Sequence, residues 1–117
     1  MALRGATACD SDTAEQVHAR TSELIVEMLS RNGIDHEDLV SILFTATDDL
    51  HSQFPATAAR SLGLGDVPLI CARELDIEGA LPQTIRVLMH FYTDRSRSEL
   101  RHVYLGDAKA LRDDLPE

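Results

Sequence analysis

The sequence predicts an α+β domain, a mixed β-sheet with helices packed on one side. Three observations carry this. Val17, Thr21, Leu24, Ile25, Met28 and Leu29 recur at helical spacing and make one apolar stripe. Residues 39–46 and 67–72 are dense apolar runs of strand length, the kind found inside a sheet covered on both faces. Residues 84–93 alternate, with Ile85, Val87, Met89 and Phe91 on one face and Arg86, Leu88, His90 and Tyr92 on the other. The predicted order is β-α-β-α-β-β-β in a single domain over residues 1–117.

The elements follow in chain order. Residues 2–9 form a short strand containing Arg4 and Gly5, where a glycine marks a bend or a close backbone approach. Asp12 with Glu15 reads as a capping box opening the first helix. Asn32 and Gly33 stop it, and His18 and Arg20 fall on its solvated face. A turn at residues 35–37 leads into the 39–46 strand. Pro55 starts a short helix through Ala58, Ala59 and Leu62, ended by Gly63, with Arg60 riding on it. A strand at 67–72 and a loop at 76–82 precede the long alternating strand. A polar turn at 94–99 leads to a last strand at 100–105, broken by Gly106, and residues 108–111 add a final short strand.

Composition removes several function classes. The chain carries 11 basic and 20 acidic residues, a net charge of -9, which argues against nucleic acid and anionic membrane as partners. Ten of the eleven cations are arginine, Lys109 being the sole lysine, and arginine suits bidentate recognition of carboxylates. Two cysteines, Cys9 and Cys71, are too few for a disulfide scaffold and fit a reduced, intracellular protein. With no apolar leader and no apolar run of membrane-spanning length, a cytoplasmic protein is expected. The five histidines show no metal-ligand spacing with each other or with the cysteines, so no metal site is predicted. No phosphate-cradling glycine loop and no nucleophile triad is visible, and Cys71 reads from spacing as a structural thiol.

What remains is a set of polar groups in core-like runs. The stretch from Leu69 and Ile70 through Cys71 and Glu74 to Arg86 sets a thiol, a carboxylate and a guanidinium among apolar residues. A charge in such a run is costly unless it is paired or faces something polar. Arg4, Arg86 and Arg112 each sit at or inside a strand candidate, and Tyr104 lies in another. A structural ion pair would explain any one of them. Together they also describe a pocket for a compact dianion, with Glu74 accepting from a ligand hydroxyl.

Several segments in order, RGAT at 4–7, TATDDLH at 45–51, FPA at 54–56, VPLICARE at 67–74, IRV at 85–87, RHVYL at 101–105 and LR at 111–112, resemble the AroH-class chorismate mutases. The resemblance spans essentially the whole chain. It implies a homotrimer built as a pseudo α/β-barrel, with active sites at the subunit interfaces. The implied reaction is the Claisen rearrangement of chorismate to prephenate, without metal, cofactor or covalent intermediate. By the same resemblance Arg86 lies beside the breaking ether oxygen, and Arg4 and Tyr104 hold substrate carboxylate. Glu74 meets the ring hydroxyl with the Cys71 thiol beside it, and Phe54, Arg60, Leu111 and Arg112 form wall and rim. Leu69 and Ile70 complete the implied substrate-binding set. Thr57 stands where many members carry lysine, which removes one cation from the pocket entrance and implies slower substrate capture.

Two rival readings use the same arginines. Small trimeric imine deaminases also hold a carboxylate with a strand arginine at a subunit interface, but leave Glu74, Tyr104 and the RHVY run unexplained. A non-catalytic carboxylate-binding or sensing module needs no cation aimed at an ether oxygen. Loss of chorismate absorbance on incubation with the protein separates the three.

Overall fold

The computed structural model describes residues 1–111. Strand β1 (Ala2–Ala8) is followed by helix α1 (Ala14–Asn32), strand β2 (Leu39–Ala46), helix α2 (Ala56–Ser61), and strands β3 (Leu69–Arg73), β4 (Thr84–Phe91) and β5 (Val103–Tyr104). The five strands form one mixed sheet in the order β3-β2-β4-β1-β5. β4 sits at its centre, antiparallel to β1 and β2, while β3 and β5 join the edges in parallel.

One face of the sheet forms the core. Leu3, Ile42, Phe44, Val87, Met89 and Phe91 point to it and are buried against Leu24, Ile25 and Met28 of α1. This is the stripe of α1 and the alternation of β4 meeting as expected. The helix lies so close to β1 that a Cβ on Gly5 would stand 2.5 Å from Met28 Sδ and 3.1 Å from Leu24 Cδ1. Gly5 is therefore a close-approach glycine. α1 ends on Gly33, whose left-handed φ of 59° lets its N–H and that of Ile34 reach the last helical carbonyls.

The opposite face is different. Ser41, Leu43, Thr45, Leu88 and His90 are only partly covered, and Arg4, Arg86 and Ile70 are exposed. Among the described residues, the expectation that the 39–46 run is covered on both faces is thus met on one face only. The one described element on the open side is a 3-10 helix, Gly106–Leu111, which lies over β1 and leaves Ala6 fully buried.

Several local expectations need correction. The cap of α1 is Thr13, whose hydroxyl accepts from Gln16 N at 3.1 Å, and not an Asp12–Glu15 box. Asp12 is already committed, accepting from the N–H groups of His51 and Ser52. Pro55 has helical dihedrals but stands just ahead of α2. The third strand begins at Leu69 because Pro68, which lacks an N–H, contributes only its carbonyl to Ile42 N. β4 stops at Phe91. The last strand shrinks from 100–105 to Val103–Tyr104, paired with Gly5 and Ala6 of β1, since Arg4 N–H donates to the His102 ring before it and Gly106 turns the chain after it. Residues 108–111 belong to the 3-10 helix, because Gly106 turns the chain at φ 57° instead of extending it.

Candidate active site

The sheet register assembles the site. Arg86 on β4 pairs with Thr45 of β2 on one side and Ala6 of β1 on the other. Ala6 in turn pairs with Tyr104, and Thr45 with Ala72. Residues paired across neighbouring strands share a face, so Ala72, Thr45, Arg86, Ala6 and Tyr104 form one transverse row on the open side. The next row places Ile70, Leu43, Leu88 and Arg4 side by side. Thus Arg4, Arg86 and Tyr104, dispersed along the sequence, converge on one surface.

Glu74 joins them from the end of β3. Its N–H donates to Ala46 O at 3.0 Å, extending the β2–β3 ladder by one rung. Its carboxylate is held at both oxygens. Oε2 accepts from the Thr45 hydroxyl at 2.8 Å and lies 3.2 Å from Arg86 Nε, while Oε1 accepts from Leu75 N at 3.2 Å. The Arg86 side chain is 51% exposed and that of Glu74 22%. A pair this open contributes little to stability, and its consequence is orientation. Glu74 engages the Nε edge of the guanidinium and leaves Nη1 and Nη2 outside that contact.

Above these groups lies a cavity of about 340 Å³, lined by Arg4, Gly5, Leu43, Thr45, Glu74, Arg86, Val87, Leu88, Tyr104 and Leu111. The size suits a small organic ligand. Two guanidinium groups, a phenol and an anchored carboxylate above an apolar floor can bind a compact dianion that carries a hydroxyl. Arg4 is placed through its main chain as well, its N–H donating to His102 Nδ1 at 2.9 Å.

The remaining expected residues lie elsewhere on the chain. Phe54, 68% exposed, and Cys71 line a second cavity of about 390 Å³ together with residues 46–48 and 50–55, Ala72 and Arg73. The two cavities share no lining residue. Leu69 and Cys71 pair with Ile42 and Phe44, so they pack against the helix-side core, whereas Ile70 is 64% exposed on the open side. Arg60 is exposed on α2. Thr57 donates to Gln53 Oε1 at 3.3 Å. Arg112 lies outside the described residues.

Thr45, Leu43 and Leu88 line the first cavity without having been singled out by the sequence. The alternation of β2 puts Leu43 and Thr45 on a common face, but only the β2–β4 register shows that this face is also that of Arg86. The second thiol, Cys9, is buried beside Val17 and Ile85, and that burial raises its pKa and keeps it protonated. Among the described residues no group of three or more His, Cys, Asp or Glu side chains is placed to hold a metal ion, and no helix is long and apolar enough to cross a membrane.

The chain is 48% identical over 114 residues to chorismate mutase AroH of Thermus thermophilus, covering 97% of this chain and 93% of the relative. It is 42% identical over 114 residues to chorismate mutase AroH of Bacillus subtilis (strain 168), covering 97% and 90%. A solved structure of chorismate mutase from Clostridium thermocellum superposes with a TM-score of 0.93 at 44% identity, covering 94% of this chain and 98% of that one. The family model for chorismate mutase type I matches residues 1–115, and the chain belongs to that family.

Proposed function

We propose that this protein is a chorismate mutase, rearranging chorismate to prephenate in the biosynthesis of phenylalanine and tyrosine. The observation that carries the reading is the convergence of Arg86, Arg4 and Tyr104 on one sheet face, with the Glu74 carboxylate fixed beside them. The rearrangement is pericyclic and requires no proton transfer. It requires the enolpyruvyl arm of a flexible dianion to be held over the ring, which cations placed at its carboxylates accomplish. As the C–O bond breaks, negative charge grows on the ether oxygen. A guanidinium fixed there binds the transition state more tightly than the ground state, and this is the role of Arg86. Arg4 and Tyr104 hold carboxylate. Glu74, with its lone pairs directed by Thr45 and Leu75 N, accepts from the ring hydroxyl. No cofactor or metal enters the reaction.

We further propose that the site is completed by a neighbouring copy in a homotrimer, with Phe54, Arg60 and Cys71 of one chain closing over Arg86, Glu74 and Tyr104 of the next. The separation of the two cavities supports this, as does the incompletely covered open face of the sheet. The same reading places the enzyme in the cytoplasm. Purified protein incubated with chorismate is expected to consume its absorbance with saturable kinetics and release prephenate. Tight binding of prephenate or an aromatic amino acid without catalysed loss of chorismate would replace the enzyme by a carboxylate sensor.

A further inference from the structure

The turn that launches β4 contains a conformation that needs a cause. Gln83 has a φ of 50°, and among the described residues it is the one non-glycine with positive φ. Side chains other than glycine rarely adopt this region, and such outliers persist only where the surroundings hold them. Here both main-chain groups of Gln83 are held. Its N–H donates to the two oxygens of Asp49 at 3.1 and 3.0 Å, and its carbonyl accepts from Cys9 N at 2.8 Å. The Asp49 carboxylate also accepts from the Thr47 hydroxyl at 2.5 Å. That same hydroxyl accepts from Thr84 N at 3.0 Å, while Thr47 N donates to Thr84 O at 3.1 Å. Thr84 is 3% exposed, and Arg86 follows two residues later on the same strand.

We propose that Asp49 is a positioning residue for the reaction: it holds Gln83 in the left-handed turn and so sets the direction from which β4 delivers Arg86. The inference rests on Arg86 acting in the proposed mutase reaction. Asp49 lines neither the cavity above Arg86 nor the one containing Phe54, so its influence runs through the backbone. Thr47 links the two strands flanking the site, because it bonds both Asp49 and Thr84 from the end of β2. Without the carboxylate, Gln83 N–H loses its partner, and the Cys9 N–H bond to its carbonyl is left alone to hold a positive φ against the extended conformations a glutamine prefers. The start of β4 then relaxes and the guanidinium moves with it. A displacement of about 1 Å at such a group can cost on the order of 10²-fold in rate. A glycine at position 83 would adopt φ 50° without help, because it has no Cβ.

This supplies a test that a merely structural turn would not pass. Asp49→Ala, Gln83→Gly and the double variant are compared with the unaltered chain in steady-state turnover of chorismate. Amide hydrogen exchange at residues 83–86 is followed in parallel. Asp49→Ala is expected to lower kcat by about 10- to 100-fold with KM changed much less, and to speed exchange at Gln83 and Thr84. In the Gln83→Gly background the same Asp49 substitution is expected to cost less than about threefold, a coupling read directly from the cycle. Unchanged kcat in Asp49→Ala, or an equal loss in both backgrounds, overturns the proposal. If Asp49→Ala does not fold, Asp49→Leu, which fills the space without an acceptor oxygen, carries the same comparison with the same criteria. Should the unaltered chain not turn over chorismate, the proposed reaction fails by itself. Wild-type exchange protection at Gln83 and Thr84 in the Asp49 variant would instead remove the positioning role.

Discussion

Arg86 is oriented by a carboxylate 3.2 Å from its Nε, and this geometry separates its proposed chemical role from its structural one. Because the side chain is half exposed, removing it should scarcely weaken the fold. Arg86→Ala is expected to lose about 10²–10³ in kcat, about 3–4 kcal/mol of transition-state stabilisation, while its melting curve stays near that of the unaltered protein. Steady-state kinetics beside circular dichroism would show the split. A neutral isosteric side chain with near-normal turnover would contradict the electrostatic mechanism. Asn32 presents the reverse case. It is 2% exposed at the end of α1, donates to Met28 O and Arg101 O, both at 2.9 Å, and accepts from Arg101 N at 2.7 Å. The side-chain amide thereby serves as a rung tying the approach to β5 onto the helix. Asn32→Leu would leave the Arg101 N–H and carbonyl unpaired where water has limited access, at a cost of about 2–4 kcal/mol in urea unfolding. Its effect on kcat should arise only through Tyr104, three residues beyond Arg101.

At the scale of elements, the loop between β2 and α2 is fastened to the start of α1 by Asp12. Asp12 Oδ1 accepts from His51 N and Ser52 N at 3.0 and 3.1 Å, and the Ser52 hydroxyl donates to Asp12 O at 2.8 Å. The Ser52 side chain above all, with the N–H groups of His51 and Ser52 adding to it, holds the Asp12 carboxyl below the usual carboxylate range against the opposing push of partial burial. A carboxyl depressed in the folded state stabilises above its unfolded value, and that contribution fades as pH falls through the folded one. Asp12→Ala should therefore be less stable than the unaltered chain at neutral pH. The difference should shrink as pH drops below about 4, which urea melts at stepped pH would follow. A constant difference across that range would mean that the clamp does not depend on charge. The same clamp explains why Thr13, and not Asp12, caps α1. Asp12 and Thr13 both have capping side chains, and the choice was made by a partner about forty residues away. Where the signal was local it was legible, as with the α1 stripe, the Gly33 stop and the β4 alternation. Where pairing decides, it was not. β5 is two residues long because the next β1 donor, Arg4 N–H, is taken by the His102 side chain and Gly106 turns the chain away, and the first of these is not visible in residues 100–105 alone. Likewise Arg4, Glu74, Arg86 and Tyr104 could be named from the chain while Leu43, Thr45 and Leu88 could not, and only register separates the four from Phe54 and Cys71.

For the molecule as a whole, the proposed division of the site between two cavities has a consequence that a self-contained site would not have. In the proposed cyclic trimer each site takes its Arg86 half from one chain and its Phe54–Arg60 half from the next. Such head-to-tail contacts close into a ring and repeat one interface at every junction. Arg86→Ala and Arg60→Ala each disable a different half. Either variant alone spoils every site, since all its chains carry the same lesion. When the two are unfolded, mixed in equal amounts and refolded together, some junctions pair an intact Arg86 half with an intact Arg60 half. With random assortment roughly a quarter of the sites should be whole, and turnover should recover to about that fraction of the unaltered protein refolded in the same way. Mixing the folded variants without exchange should recover nothing, and light scattering on the same samples reports whether three chains associate. If each chain built its site alone, the mixture would show only the average of the two residual activities. The absence of recovery in a mixture that demonstrably assembles would return both halves of the site to a single chain.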